Sequence, residues 1–136
     1  MIIAVDFDGI LAQTNVPFPQ IGTPNYQMLE LVGDLILEGH EVILWTSRTG
    51  HALNNALTWC NKHGMEFCAV NDQAPSNKLK YSHIYPQGTR KVNADLYIDD
   101  HSPEFILDSR TNGNFNAIYN LIKKVKEIVA LWQEEN

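Results

Sequence analysis

Acidic side chains stand in pairs at two places in the chain, each time directly after an apolar run. The segment IIAVDFDG carries Asp6 and Asp8, and the segment LYIDD ends in Asp99 and Asp100. Side chains two residues apart on a strand point to the same side and lie about 7 Å apart. Since Gly9 permits a kink directly after the first pair, we expect Asp6 and Asp8 to reach one centre.

A third polar segment stands in the same relation to an apolar run, because Thr46, Ser47 and Arg48 follow VILW. If these runs are parallel strands, their carboxyl ends meet at one edge of the sheet, where open α/β sheets bind ligands. Carboxylates about 4 Å apart there would repel by about 4 kcal/mol per pair at an effective dielectric constant near 20. A divalent cation would remove that repulsion, and oxygen ligands without a histidine or cysteine cluster favour Mg²⁺. The simpler alternative is that each aspartate caps the turn that follows it.

The apolar runs predict the elements that position these groups. Four continuous runs are typical of parallel strands buried on both faces, at residues 2–6, 42–45, 67–70 and 96–98. Helical periodicity predicts a first helix with Thr23 as N-cap and Pro24 as first residue, ending at Gly39. It also predicts helices over about 50–62 and about 115–134, a short helical segment before the last, and a long loop at 71–90. The prediction is one domain, residues 1–136, with a three-layer α/β/α sandwich around a parallel Rossmann-like sheet.

Composition narrows the classes of function. The formal net charge is −6, and the only basic cluster, Lys123 to Lys126, has the pattern of a solvated helix face, so we expect no nucleic-acid partner. No apolar stretch reaches the roughly 18 residues of a membrane span, and the amino terminus lacks a signal pattern, so we expect a cytoplasmic protein without membrane contact. Cys60 and Cys68 are expected to be buried thiols rather than a disulfide, and the histidine spacing predicts no zinc site.

The ordered set DFDGI, WTSR, a later lysine and YIDD resembles the haloacid dehalogenase-like (HAD) superfamily, whose members are mostly Mg²⁺-dependent phosphatases. The resemblance implies that Asp6 is the nucleophile that forms an aspartyl phosphate and that Asp8 is the acid and base. It also implies that Thr46 bonds a phosphoryl oxygen, with Gly9, Ser47 and Arg48 beside the phosphate. The implied Mg²⁺ ligands are Asp6, the Asp8 carbonyl, Asp100 and, through water, Asp99. For Arg48 a plain solvated side chain is the alternative.

Two positions depart from the family pattern. Ile10 replaces the threonine that usually braces the turn after the first motif, which would lower activity. The catalytic lysine is either Lys91, nine residues before Asp100, or one of Lys78 and Lys80, where the family's lysine usually stands. We favour Lys91, because the segment KVNADLYIDD resembles short members of the superfamily.

The expected activity is hydrolysis of a phosphate monoester. Neither interval that usually carries a cap domain is long enough to hold one, so the site is expected to be open and the fold capless. A sugar phosphate or phosphorylated glycan is the favoured substrate, and a homo-oligomer in which residues 71–90 help to roof the site is expected. The alternatives are a catalytically silent HAD-like scaffold and a receiver-like phosphoacceptor domain, although a receiver places its acidic pair early in the chain.

Overall fold

A computed structural model describes all 136 residues as a parallel sheet with five helices. The strands are β1 (Ile2–Val5), β2 (Glu41–Leu44), β3 (Ala69–Val70) and β4 (Leu96–Ile98). The helices are α1 (Tyr26–Leu37), α2 (Gly50–Lys62), α3 (Pro75–Tyr81), α4 (Pro103–Asn112) and α5 (Asn114–Glu135). The sheet order is β3-β2-β1-β4 and every pairing is parallel, which confirms the predicted α/β class with a parallel sheet.

The register of the sheet aligns the ends of its central strands. Val5 of β1 lies opposite Leu44 of β2 and Ile98 of β4. The residues that follow these three strands therefore emerge side by side, as the sequence predicted. The polar segments after the apolar runs meet at this carboxyl edge.

The two faces of the sheet are covered unequally. A core of 23 buried residues joins α1, α2, α4 and α5 to alternate side chains of the central strands, among them Ile3, Val5, Val42 and Leu44. On the opposite face a cluster of only three buried residues, Ile43, Ala74 and Val92, packs with Ile2, Trp45 and Ala69. Because successive right-handed crossovers in one direction share a face, α1 and α2 belong together, and α3 lies in the return connection to β4.

The first helix begins later than predicted. Its N-cap is Asn25 rather than Thr23, and Pro24 lies outside the helix. Thr23 is held in extended structure, because its carbonyl accepts a hydrogen bond from the Gln13 backbone and its hydroxyl accepts one from the Asn15 side chain. The predicted end is confirmed, since Gly39 follows the helix with a positive φ of 92°.

The prediction of a long loop at 71–90 was wrong in part, since this segment contains α3. Ala74 is the N-cap of this seven-residue helix and Pro75 is its first residue. Helix α3 has no buried residue, so it lacks the apolar stripe by which sequence reasoning detects a helix. The helices predicted at 50–62 and 115–134 are confirmed as α2 and α5.

The third strand is shorter than predicted, and the prediction that Cys68 is buried was wrong for that reason. Only Ala69 and Val70 pair with β2 at this edge of the sheet, so the strand begins after Cys68, which is exposed rather than buried. Cys60 is buried as expected, and both thiols are free. No helix combines the length and the apolar character that crossing a membrane requires.

Candidate active site

Three carboxylates meet at the carboxyl edge of β1 and β4. Ligand atoms of Asp6, Asp99, Asp100 and His101 all lie within 4.8 Å of one another. We call these four residues the acidic cluster. Asp6 directly follows β1 and Asp99 directly follows β4, so the pairing of two neighbouring strands creates the cluster.

The acidic cluster is electrostatically costly as it stands. Carboxylates within 4.8 Å of one another repel by at least about 3.5 kcal/mol per pair at an effective dielectric constant of 20. Burial, then the carboxyl group of Asp100 and the charge of Asp99, raise the pKa of Asp6 to about 8. Burial also raises the pKa of Asp100. The Oδ1 atom of Asp100 is buried without a hydrogen-bond partner, as a ligand atom for a cation would be, so the donor set fits a hard divalent ion such as Mg²⁺.

Gly9 forms one wall of the acidic cluster. Its φ is +87°, and a Cβ atom at this position would lie 2.1 Å from Oδ2 of Asp100. Only glycine fits, because any side chain would displace the Asp100 carboxylate as well as strain the backbone. The close approach therefore joins the turn after β1 to the loop after β4.

The turn after β1 is braced without the threonine hydroxyl that Ile10 lacks. The side chain of Ile10 is fully buried in the core, and its carbonyl accepts a 2.8 Å hydrogen bond from Nδ2 of Asn25. Within the turn, the backbone amides of Leu11 and Ala12 both donate to the Phe7 carbonyl. The Asn25 side chain at the start of α1 therefore braces the turn that carries Asp8.

The Asp8 carboxylate does not join the acidic cluster, where the sequence reasoning had placed it at one centre with Asp6. It forms a two-point ion pair with Arg48, in which Nε donates to Oδ2 and Nη2 donates to Oδ1, both at 2.8 Å. The group at one centre with Asp6 is instead His101, whose Nδ1 lies 3.7 Å from Asp100 Oδ1. Sequence reasoning missed His101, although its position directly after Asp99 and Asp100 was an available signal.

Arg48 is neither solvated nor available to substrate, which contradicts both sequence-based interpretations of it. Its side chain is completely buried. Besides the Asp8 pair, Nη1 and Nη2 donate to the backbone carbonyls of Pro19, Ala52 and Gln20. These five contacts use all five guanidinium N–H groups.

Two aromatic rings complete the surroundings of Arg48. Its guanidinium carbon lies 5.1 Å from the ring centre of Phe7 and 5.0 Å from that of Phe18, at cation–π distance. Phe7 belongs to the core, whereas Phe18 is exposed and belongs to the loop before α1. Arg48 therefore fastens this loop and the Asp8 carboxylate to the end of β2.

Thr46 keeps a hydroxyl proton free at the carboxyl edge. Its Oγ1 accepts from the backbone N–H of Arg48 at 3.2 Å, and its own backbone N–H donates to Oδ1 of Asn71 at 2.8 Å. Asn71 is the one non-glycine residue with a positive φ, of 50°, and it directly follows β3. Sequence reasoning missed this brace, although an asparagine at a strand end was the signal for it. Ser47 is exposed next to Thr46.

The three candidate lysines have different surroundings. Lys78 is engaged in an ion pair, with Nζ 2.5 Å from Asp72. The Nζ of Lys80 lies over the ring of its neighbour Tyr81. Lys91 forms no ion pair, and its Nζ lies 5.8 Å from the ring centre of Tyr97, which shares a strand face with Asp99.

The backbone around Lys91 is held by one amide side chain. Nε2 of Gln73 donates to the Lys91 carbonyl at 2.7 Å, and Oε1 of Gln73 accepts from the Asn93 backbone at 2.8 Å. The segment that carries Lys91 is thereby tied to the start of α3. Gln73 is a further residue that sequence reasoning did not identify.

Comparison with known proteins gives one informative match. No protein-family model and no curated protein matches the chain. A solved structure, described as that of a conserved protein coded by a locus of Bacteroides thetaiotaomicron, matches with a TM-score of 0.63 and 35% sequence identity. The match covers 82% of this chain and 89% of the Bacteroides chain. Identity at this level over most of both chains means that the chain belongs to the family of this conserved Bacteroides protein.

Proposed function

We propose that the protein is a Mg²⁺-dependent phosphomonoester hydrolase with a three-layer, capless HAD-like fold. The observation that carries the proposal is the meeting of Asp6, Asp99 and Asp100 within 4.8 Å at the carboxyl edge of the sheet. The ordered motifs support the same activity, since Thr46 and the Asp8 turn reach this edge from neighbouring strands. A phosphorylated small molecule or glycan is the proposed substrate.

The first half of the proposed reaction transfers the phosphoryl group to Asp6. A carboxylate oxygen of Asp6 attacks phosphorus while the bond from phosphorus to the ester oxygen breaks, and Asp8 donates a proton to that leaving oxygen. The Thr46 hydroxyl donates a hydrogen bond to one phosphoryl oxygen, and the charge of Lys91 neutralises a second phosphoryl oxygen. Arg48 binds both oxygens of the ionised Asp8, so one of these two contacts must open when Asp8 carries the proton.

The second half regenerates the enzyme. Asp8 accepts a proton from a water molecule, the water oxygen bonds to phosphorus, and the acyl phosphate bond to Asp6 breaks. Inorganic phosphate leaves and Asp6 is again a free carboxylate. Asp8 thus gives and takes one proton in each turnover, so no net proton is stored.

Mg²⁺ fits the acidic cluster, where Asp6, Asp100 and Asp99 would hold it together with the Asp8 carbonyl. When bound there it would keep Asp6 ionised and offset the charge of the phosphoryl oxygens. The unpartnered Oδ1 of Asp100 supports this assignment, because a buried carboxylate oxygen without a hydrogen-bond donor is stabilised by a bound cation.

The test is release of inorganic phosphate from acetyl phosphate and p-nitrophenyl phosphate with Mg²⁺ or with a chelator. Asp6→Asn should lower turnover by more than about a hundredfold, because it removes the nucleophile of a covalent step. Asp34→Asn, an exposed carboxylate of α1, is the matched control and should keep wild-type turnover. A wild type that releases no phosphate would instead support the scaffold alternative. A long-lived acyl phosphate on Asp6 would support the receiver-like alternative.

A further inference from the structure

A polar cleft adjoins the acidic cluster. It has a volume of about 610 Å³ and reaches the cluster at Gly9 and Asp100. Its other walls are the loop at residues 13–15, the start of α1 and the junction of α4 with α5. This volume lies in the range of small-molecule sites, about 300–1,000 Å³.

Uncharged hydrogen-bonding groups dominate the walls of the cleft. Nine of its fifteen lining residues carry an amide or a hydroxyl, among them Gln13, Thr14, Gln27, Ser109 and Asn114. The amides of Gln13, Gln27 and Asn114 bond to no protein group, whereas the Asn15 amide is engaged with Thr23. Each free amide can donate two hydrogen bonds and accept two, which is the capacity needed to bind vicinal hydroxyl groups.

Two exposed aromatic rings also line the cleft. Tyr26 of α1 is 68% exposed and Phe115 of α5 is 75% exposed. Exposed rings of this size in a polar cleft offer apolar faces to a ligand that has both C–H and O–H surfaces. The combination of free amides with aromatic faces suits a polyhydroxylated carbon skeleton.

The cleft carries no cation. No lysine, arginine or histidine lines it, and its one charged lining residue is Asp100. A second phosphate or a carboxylate on the ligand would therefore lose water without gaining a cationic side chain as a partner, at a cost in free energy. The cleft thus selects against ligands that are anionic away from the reacting phosphate.

We propose that this cleft binds the leaving group of the substrate, and that the leaving group is an uncharged polyol or sugar. The inference rests on the proposed phosphatase activity and narrows it to phosphate monoesters of neutral, hydroxyl-rich molecules. Bisphosphates, which carry a second anionic group, are excluded as preferred substrates.

The experiment compares kcat/KM for a hexose 6-phosphate, the matching hexose 1,6-bisphosphate and acetyl phosphate. The wild type should prefer the monophosphate. Asn114→Lys should shift the ratio of bisphosphate to monophosphate by about fivefold or more, because it adds a charge-assisted hydrogen bond for the second phosphate. Gln27→Lys adds the same charge to the cleft from α1 and serves as the test if the first variant fails to fold.

The control variant is Asn116→Lys, which adds the same charge on α5 outside the cleft. It should leave the substrate ratio unchanged. Tyr26→Ala should raise KM for the hexose monophosphate more than for acetyl phosphate, whose leaving group is too small to fill the cleft.

The outcomes separate the two proposals. Turnover of acetyl phosphate together with equal ratios in Asn114→Lys and Asn116→Lys would overturn the cleft assignment and leave the phosphatase intact. A wild-type preference for the bisphosphate would do the same. Failure to release phosphate from any of these compounds, acetyl phosphate included, would overturn the proposed activity and this inference with it.

Discussion

Replacement of Arg48 by methionine tests whether this residue stabilises the protein by binding Asp8 and the loop before α1. The change keeps a long apolar stem but removes the charge and all five N–H groups. Asp8 then loses its counter-ion, and the carbonyls of Pro19, Gln20 and Ala52 lose a donor. We expect a large loss of stability, since removing one partner of a buried ion pair leaves an uncompensated charge.

The magnitude follows from the burial of the two partners. Breaking a fully buried pair costs about 3–5 kcal/mol. Arg48 is completely buried, but the Asp8 side chain is 31% exposed, so water will recover part of that cost for Asp8. We therefore expect Arg48→Met to lower the free energy of unfolding by about 3 kcal/mol, at the lower end of that range. For a chain of this size the melting temperature should fall by about 10 °C.

The assay is urea unfolding of the wild type, Arg48→Met and Arg110→Met. Arg110 is exposed on α4 and forms no ion pair, so its variant should stay within about 0.5 kcal/mol of the wild type. In an Asp8→Asn background the cost of Arg48→Met should shrink by about 1–2 kcal/mol, because the ion pair is already absent. The reasoning would be refuted by an Arg48→Met variant as stable as Arg110→Met. A double-mutant coupling near zero would place the role of Arg48 in its carbonyl contacts alone.

Three further predictions concern the carboxyl edge. Gly9→Ala should cost about 1–2 kcal/mol of stability, because an alanine is strained in this left-handed backbone. It should also weaken Mg²⁺ binding in a metal titration, because Asp100 must move. The control is Gly33→Ala in α1, whose added Cβ atom contacts nothing and should not destabilise the protein. Without Mg²⁺ the free energy of unfolding should fall as pH rises from about 4 to about 8, because the raised pKa of Asp6 lets the folded state hold a proton that the unfolded state has lost. Added Mg²⁺ should stabilise the protein most at pH 8. A free energy of unfolding that does not change with pH would contradict this prediction. Lys91→Ala should lower kcat/KM by about a hundredfold and Lys78→Ala by far less, because Asp72 already holds Lys78; the reverse order would move the catalytic role to α3.

The sheet and its polar edge were predictable because their signals are local. Continuous apolar runs locate strands, and polar residues after a run locate the carboxyl edge. Helix α3 escaped notice because it buries nothing, and Thr23 and Asn25 offer nearly equal N-cap chemistry. The contacts of Thr23 with Gln13 and Asn15 decide between these two, and both depend on the folded loop.

The pairing inside the site was less predictable because its partners are distant along the chain. Asp8 and Arg48 are 40 residues apart, so spacing alone gives no sign that they bind each other. The expected meeting of Asp99 and Asp100 with Asp6 is confirmed, whereas the catalytic roles assigned to these residues and to Thr46 stay predictions. Sequence reasoning placed the Asp8 carboxylate with Asp6 because a kink at Gly9 was expected to bring both carboxylates to one centre, whereas the Asp8 carboxylate binds Arg48.

The position of β1 in the sheet affects the folding of the chain during its synthesis. Strand β1 is synthesised first, but its second neighbour, β4, begins only at Leu96. A nascent chain that lacks this last strand can assemble β3-β2-β1 with β1 as an open edge, and apolar open edges pair with other chains. Asp6 likewise has no acidic partners until residues 99 and 100 have left the ribosome. Chains that end before β4 should therefore aggregate and bind no divalent cation, rather than survive as a smaller working domain.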